Sequence, residues 1–154
     1  MPGRRPRKKF RRVEREYVVD YVVNKFPNRV KAYFNLRLGA PPSWVKKAYP
    51  NVPAGYFKVW QRYADAVVIT ETAIFLIEAK VHNIKVGPGY LLEYKNLVPQ
   101  TPELRPYLGR PLHLRLVIPI PDPWVAETCK QLGIELDIYQ PEWLIPLLKE
   151  KHYI

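Results

Sequence analysis

The sequence predicts one α/β domain built on a mixed β-sheet flanked by helices. Three observations carry this. Residues 73–77, Ala-Ile-Phe-Leu-Ile, form an unbroken apolar run of strand length, as expected of a central strand covered on both faces. The end of the chain alternates strand, helix, strand and helix, a unit whose strands run parallel. The 154 residues, 47% of them hydrophobic and spread along the chain, suit a single core.

Residues 1–12 hold Arg4, Arg5, Arg7, Lys8, Lys9, Arg11 and Arg12 with no acid and no apolar periodicity, which predicts a disordered basic tail. From Val13 to Phe26, the side chains of Val18, Val19, Val22, Val23 and Phe26 collect on one side at 100° per residue, with Asp20 and Asn24 opposite. That segment is expected as a helix, ended by Pro27 and Asn28. Residues 29–38 alternate as a strand does and stop at Gly39, Pro41 and Pro42. Residues 39–63 form an aromatic and basic excursion, with a short helix expected near Trp44 to Tyr49.

Residues 65–70 and 73–81 read as two strands, 89–98 as a short helix stopped by Pro99, and 112–120 as a further strand. Asp122 and Pro123 supply an N-cap and a proline at the first helical position, and Gly133 a left-handed C-terminal cap, so residues 124–132 are expected as a helix. A strand over 134–139 and a closing helix over 141–151 complete one domain spanning 13–154.

Composition narrows the function classes. No apolar stretch approaches the ~18–20 residues that span a bilayer, so no membrane span is expected, and an intracellular protein, cytoplasmic or nucleoid-associated, is. The single cysteine, Cys129, excludes an intramolecular disulfide framework and is expected as a small buried hydrophobe. His82, His113 and His152 lack zinc-ligand spacing.

The net charge of +11 points to a polyanionic partner, and seven of those charges sit in residues 1–12. That segment could follow a phosphate backbone or act as a solubilising or localisation tail. Between Asp20 and Asp65 there is no carboxylate, while Lys25, Arg29, Lys31, Arg37, Lys46, Lys47, Lys58 and Arg62 fall there, a plausible phosphate track. Tyr33, Phe34, Trp44, Tyr49, Tyr56, Phe57, Trp60 and Tyr63 are interleaved with them, either to stack on bases or to pack the excursion onto the sheet.

Glu78 and Lys80 are two residues apart and project from one face of their strand. If Glu71-Thr72 form the tip of a symmetric hairpin, residues whose numbers sum to 143 stand opposite, which pairs Asp65 with Glu78 at a β-carbon separation of ~4.5–5.5 Å. Two carboxylates so placed on an apolar sheet repel each other and are costly to desolvate. Lys80 supplies one compensating charge, and a hard divalent cation such as Mg²⁺, with Mn²⁺ as a substitute, supplies the rest through carboxylate oxygens, the backbone carbonyl of Ala79 and water. The alternative is an acid–lysine pair that merely neutralises itself at a sheet edge.

Asp65 followed by Glu78-Ala79-Lys80 at the end of Ile74-Phe75-Leu76-Ile77 resembles the core motif of the PD-(D/E)XK nuclease superfamily, nearest to archaeal-type Holliday junction resolvases. Glu14-Arg15-Glu16-Tyr17-Val18-Val19 is similar to the first helix of that group, and Gly89-Tyr90-Leu91-Leu92-Glu93-Tyr94 to its later helix. Tyr90 stands where many superfamily members carry glutamine, and residues 27–63 exceed the resolvase pattern.

The resemblance implies a restriction-endonuclease-like three-layer fold and a Mg²⁺-dependent DNA endonuclease, structure-specific for junction or branched DNA and homodimeric. It implies that Asp65 and Glu78 hold the metal with Glu14 assisting, and that Lys80 orients the attacking water. Arg62, three residues before Asp65, is expected as a phosphate contact. The alternative functions are a non-catalytic DNA-binding or assembly protein that retains the nuclease fold, and an RNA-directed nuclease.

Overall fold

A computed structural model of the chain describes residues 6–39, 43–53, 55–56 and 61–154. Its first element, helix α1 (Pro6–Lys25), begins a full seven residues before Val13. Residues 6–12, expected as part of a disordered tail, are therefore helical, and residues 1–5 of that tail lie outside the described residues. The physical reason is twofold. Proline fits the first helical position without losing a bond, and Phe10 falls on the same face as Tyr17 and Tyr21, where it is buried at 8% exposure.

The apolar stripe of α1 is also rotated from the expected one. Val18 and Val22 are buried as anticipated, but Val19 and Val23 are exposed, and Tyr17 and Tyr21 take their place at 0% exposure. Their hydroxyls donate to the Tyr139 carbonyl and to Asp137 Oδ2, each at 2.6 Å, so these rings can be buried without stranding a polar group.

Five strands follow in spatial order β1 (Lys31–Leu38), β2 (Arg62–Ile69), β3 (Ile74–Ala79), β4 (Leu112–Ile118) and β5 (Glu135–Ile138). The first three pair antiparallel, and β3–β4 and β4–β5 pair parallel. Between β2 and β3 the chain turns tightly, the Thr70 N–H donating to the Ala73 carbonyl at 3.0 Å. The partners Ala66–Ile77, Val67–Leu76, Val68–Phe75 and Ile69–Ile74 all obey the sum of 143.

The short helix α2 (Ser43–Ala48) lies in the excursion between β1 and β2. Helix α3 (Gly87–Lys95) joins β3 to β4, α4 (Pro123–Leu132) joins β4 to β5, and α5 (Ile145–Glu150) closes the chain. Asp122 caps α4 by accepting the N–H groups of Trp124 and Val125, and Gly133 takes the left-handed φ of 69°.

The sheet carries a core on each face. One side packs Leu36, Leu76, Leu114 and Leu116 against Leu91 and Tyr94 of α3 and Val125 and Cys129 of α4. The other packs Val68, Ile77 and Val117 against Tyr17, Tyr21 and Val22 of α1 and Leu148 of α5. Helix α3 approaches β4 so closely that a β-carbon on Gly87 would stand 2.5 Å from Leu116 Cδ1. The architecture is α/β, a five-stranded mixed sheet flanked by helices. Among the described residues no helix is long and apolar enough to cross a membrane.

Candidate active site

Asp65 lies in β2 and Glu78 near the end of β3, one step beyond the Ala66–Ile77 rung of a ladder whose register would set them opposite each other. Their hydrogen bonds interlock. The Asp65 N–H donates to Glu78 Oε1 at 3.4 Å, and the Ala79 N–H donates to Asp65 Oδ2 at 3.0 Å. Glu78 is 4% exposed, and apart from Thr101 it is the one buried polar or charged residue among those described.

This burial disfavours ionisation of Glu78, and the neighbouring Asp65 compounds it. The Glu78 carboxyl is held well above the usual carboxylate range, first by desolvation and then by the charge of Asp65. Asp65 is raised too, by desolvation alone, although the Ala79 N–H, a hydrogen bond with Glu78, Lys80 and Arg11 pull in the opposite direction. The metal-free pair therefore tends to retain a proton.

On the other side of Asp65, β1 contributes an irregularity that the sequence did not flag. Phe34 pairs with Ala66 and Leu36 with Ala64, but between them Asn35 adopts a left-handed φ of 53°. Tyr33 packs into the α3 side of the core and so do Leu36 and Leu38, so strict alternation along β1 breaks at Asn35. Asn tolerates this backbone better than most residues.

Lys80 follows β3 and directs its ammonium to Glu14 Oε2 at 3.4 Å. The other oxygen of Glu14 accepts the N–H groups of Val81 and His82, both at 3.2 Å. Glu14 thus fastens α1 to the end of β3, and both of its oxygens are engaged by protein donors. His82 is stacked on Phe10 at 4.4 Å between centroids and meets the Tyr153 hydroxyl at 3.0 Å.

Helix α3 brings Tyr94 beside the acid pair. Burial, followed by the negative charges of Glu78 and Asp65, pushes its phenol pKa upward. Tyr90 lies one turn earlier and stacks on Tyr94, with ring centroids 5.9 Å apart and planes 3° from parallel. Between them in sequence, Glu93 forms an ion pair with Arg62.

The sequence-derived site residues therefore separate into groups. Asp65, Glu78 and Ala79 come together, and Lys80 and Glu14 meet beside them. Arg62 is engaged by Glu93. Arg11 and Arg12 are exposed on α1, with Arg12 3.7 Å from Glu16, while Arg7, Lys8 and Lys9 belong to the first turns of that helix. Arg4 and Arg5 lie outside the described residues, as do Phe57, Lys58 and Trp60 of the excursion. Trp44, Tyr49 and Tyr56 are more than half exposed.

No family model matches the sequence, and no curated protein matches it either. Two solved structures are similar in part. One, a protein of unknown function designated AF1548, has a TM-score of 0.48 and 16% identity over 88% of this chain. The other, protein VC1899 from Vibrio cholerae, has a TM-score of 0.46 and 15% identity over 90% of it. The chain spans 64% and 31% of the lengths of those two proteins.

The donor set at the acid pair is all oxygen, which suits a hard divalent cation. Among the described residues no three or more His, Cys, Asp or Glu side chains converge as a metal cage, in keeping with the commitment of Glu14 to Lys80. Mg²⁺ does not require such a cage, since it is commonly held by one or two carboxylates with waters and substrate phosphate. A buried Glu78, whose pKa is raised by desolvation and by the charge of Asp65, beside a partly buried Asp65 raised by desolvation, fits a cation, because its charge would offset both repulsion and desolvation.

Proposed function

We propose that this chain is a Mg²⁺-dependent DNA endonuclease with a restriction-endonuclease-like fold, acting on branched or otherwise structurally distinct DNA. The observation that carries the proposal is the interlocked pair of Asp65 and Glu78 at the end of a doubly covered strand, with Lys80 next to it. Helices on both faces of a mixed sheet, with the acids on adjacent strands, agree with that fold.

Asp65 and Glu78, with the Ala79 carbonyl, would hold the metal. When bound, Mg²⁺ would lower the pKa of water and offset charge on the reacting phosphate. The Ala79 N–H fixes the Asp65 carboxylate in place, and burial of Glu78 keeps bulk water from competing for its oxygens. Lys80, held by Glu14, presents a positive charge to the attacking water and to the phosphate as negative charge builds on it. The exposed basic side chains of α1 and the excursion, Arg11, Lys46 and Lys47 among them, offset the repulsion that two carboxylates exert on an approaching phosphate.

The test is cleavage of linear duplex, single-stranded, flapped and four-way-junction DNA, with RNA counterparts, in Mg²⁺ or EDTA. Metal-dependent cutting lost in Glu78→Ala and Lys80→Ala is expected. Tight binding without cutting on every substrate would leave a DNA-binding or assembly protein instead.

A further inference from the structure

Two tyrosines of α3, the helix that packs against β3 and β4, stack one turn apart and lead from the core to the surface. Tyr94, at the inner end, is buried in the core on the α3 side of the sheet, and the adjacent Glu93 pairs with Arg62 of β2, the strand that carries Asp65. Tyr90, at the outer end, is 40% exposed, and its ring lies within 3° of parallel to that of Tyr94. Beside it, Gly89 has open space where a side chain would be.

Packing of the core does not explain an aromatic at position 90. Leu91 and Tyr94 fill the buried side of α3, whereas Tyr90 adds an exposed apolar face next to the candidate chemistry. The charge of the neighbouring Glu93, which would repel a phosphate, is balanced by Arg62. The basic and aromatic excursion leaves and rejoins the sheet here as well. Leu38 pairs with Arg62, and the Gly39 N–H donates to Thr101 Oγ1 at 2.9 Å just beyond α3.

We propose that Tyr90 stacks on an unpaired nucleobase adjoining the phosphate at the Asp65–Glu78 site, which makes the substrate class DNA with a nucleotide outside the duplex stack at the cleavage position. The inference rests on the nuclease reading and names the substrate of that same site. An aromatic face accepts any base, so it selects for accessibility of the base and not for its identity. A base within a duplex is covered above and below by its neighbours and must be unstacked before a side chain can reach its face. A flap, a fork or a single-stranded end presents such a base without that cost.

The experiment uses the full chain with Ca²⁺ in place of Mg²⁺ to suspend cutting. The probes are flapped and fully paired DNA carrying 2-aminopurine at successive nucleotides across the flap junction. In the wild type and in Tyr90→Phe, fluorescence at one of these positions is expected to be quenched on binding; in Tyr90→Ala it is expected to stay bright. Affinity of Tyr90→Ala for the flap should fall roughly ten- to hundredfold, with affinity for paired DNA unchanged.

Circular dichroism of the variants identifies any loss of fold, and Tyr90→Leu, which keeps an apolar side chain but has no ring face and should also stay bright, carries the test if the alanine variant unfolds. Equal losses on flapped and paired DNA, or a phenylalanine variant that fails to quench, would overturn the stacking role. Parallel reactions in Mg²⁺ separate the two proposals. Cutting without dependence on Tyr90 would refute the stacking and leave the nuclease standing, whereas quenching without cutting would leave the stacking and refute the nuclease.

Discussion

Replacing Glu78 by glutamine removes one charge from the acid pair while preserving its shape, and its effect should reverse sign when metal is added. In the metal-free Glu78→Gln protein the new side-chain carbonyl can still accept the Asp65 N–H, and the new amide can donate to the Asp65 carboxylate where the native pair tends to retain a proton. The sign of the pH dependence follows from that proton. Glu78 and Asp65 both have raised pKa values in the folded chain, so the folded state binds more protons than the unfolded one above about pH 4. Their contribution to stability therefore declines as pH rises from that point through the raised folded values.

Each unit of upward shift costs ~1.4 kcal/mol of stability once both states are ionised, and a domain of this size moves by roughly 2–4 °C in Tm per kcal/mol. Metal-free Glu78→Gln should accordingly melt at or above the wild type at pH 8, by a margin that closes towards pH 4. Mg²⁺ at ten times its Kd would stabilise the wild type by ~1.4 kcal/mol, or about 3–6 °C, and the gain should be larger at pH 8 than at pH 6 because binding expels the retained proton. The Glu78→Gln variant should show no such gain and should cut DNA at least about 100-fold more slowly. Thermal melts across pH with and without Mg²⁺ provide the measurement. A metal-free variant less stable than the wild type at pH 8, with equal Mg²⁺ shifts in both proteins, would refute the account of the pair.

Glu14→Gln keeps an acceptor for the Val81 and His82 N–H groups but cannot accept from Lys80 with its amide nitrogen. Its cleavage rate should fall about tenfold with an unchanged Mg²⁺ requirement, read from a metal titration of kcat; a raised requirement would place Glu14 among the metal ligands, as the sequence resemblance implies. Asn35→Ala should cost ~1 kcal/mol in denaturant melts because of the left-handed backbone, whereas Asn35→Gly should be nearly neutral. Equal destabilisation by both would mean that the Asn side chain, and not the backbone, holds β1 beside Asp65.

The acid pair was legible from the chain because a two-residue turn fixes the register of a hairpin and period-2 alternation fixes the face. Glu71-Thr72 set the sum of 143, and the pairing from Ala66–Ile77 to Ile69–Ile74 follows it. The cap at Asp122 and the left-handed Gly133 were equally local, and both occur where the residue types demand. What local pattern could not supply was the identity of the surface across from each element. The 100° periodicity of α1 admits either Val19 and Val23 or Tyr17 and Tyr21 on the buried side. Acceptors on β5 and just after it decide for the tyrosines, and no local rule anticipates the Tyr139 carbonyl or Asp137, more than a hundred residues away. Phe10 escaped notice for the same reason, since its place in a basic run is explained only by His82 and the core beneath α1.

The same distinction bears on Glu14 and Lys80. Sequence spacing sets Lys80 on the face of Glu78, which makes it a neutralising partner for the two acids, and charge counting stops there. In the folded chain Lys80 is instead held by Glu14 from across the α1–β3 junction, so its charge is shared among Glu14, Asp65 and Glu78. A lysine shared in this way can neither cancel the Asp65–Glu78 repulsion nor leave the site freely. On the proposed function, the ionised acid pair would stand in a protein whose net charge is +11, and that contrast would give the site its selectivity. The basic surface would draw in a polyanion, while the ionised acid pair would oppose the close approach of any one phosphate until a cation stood between them.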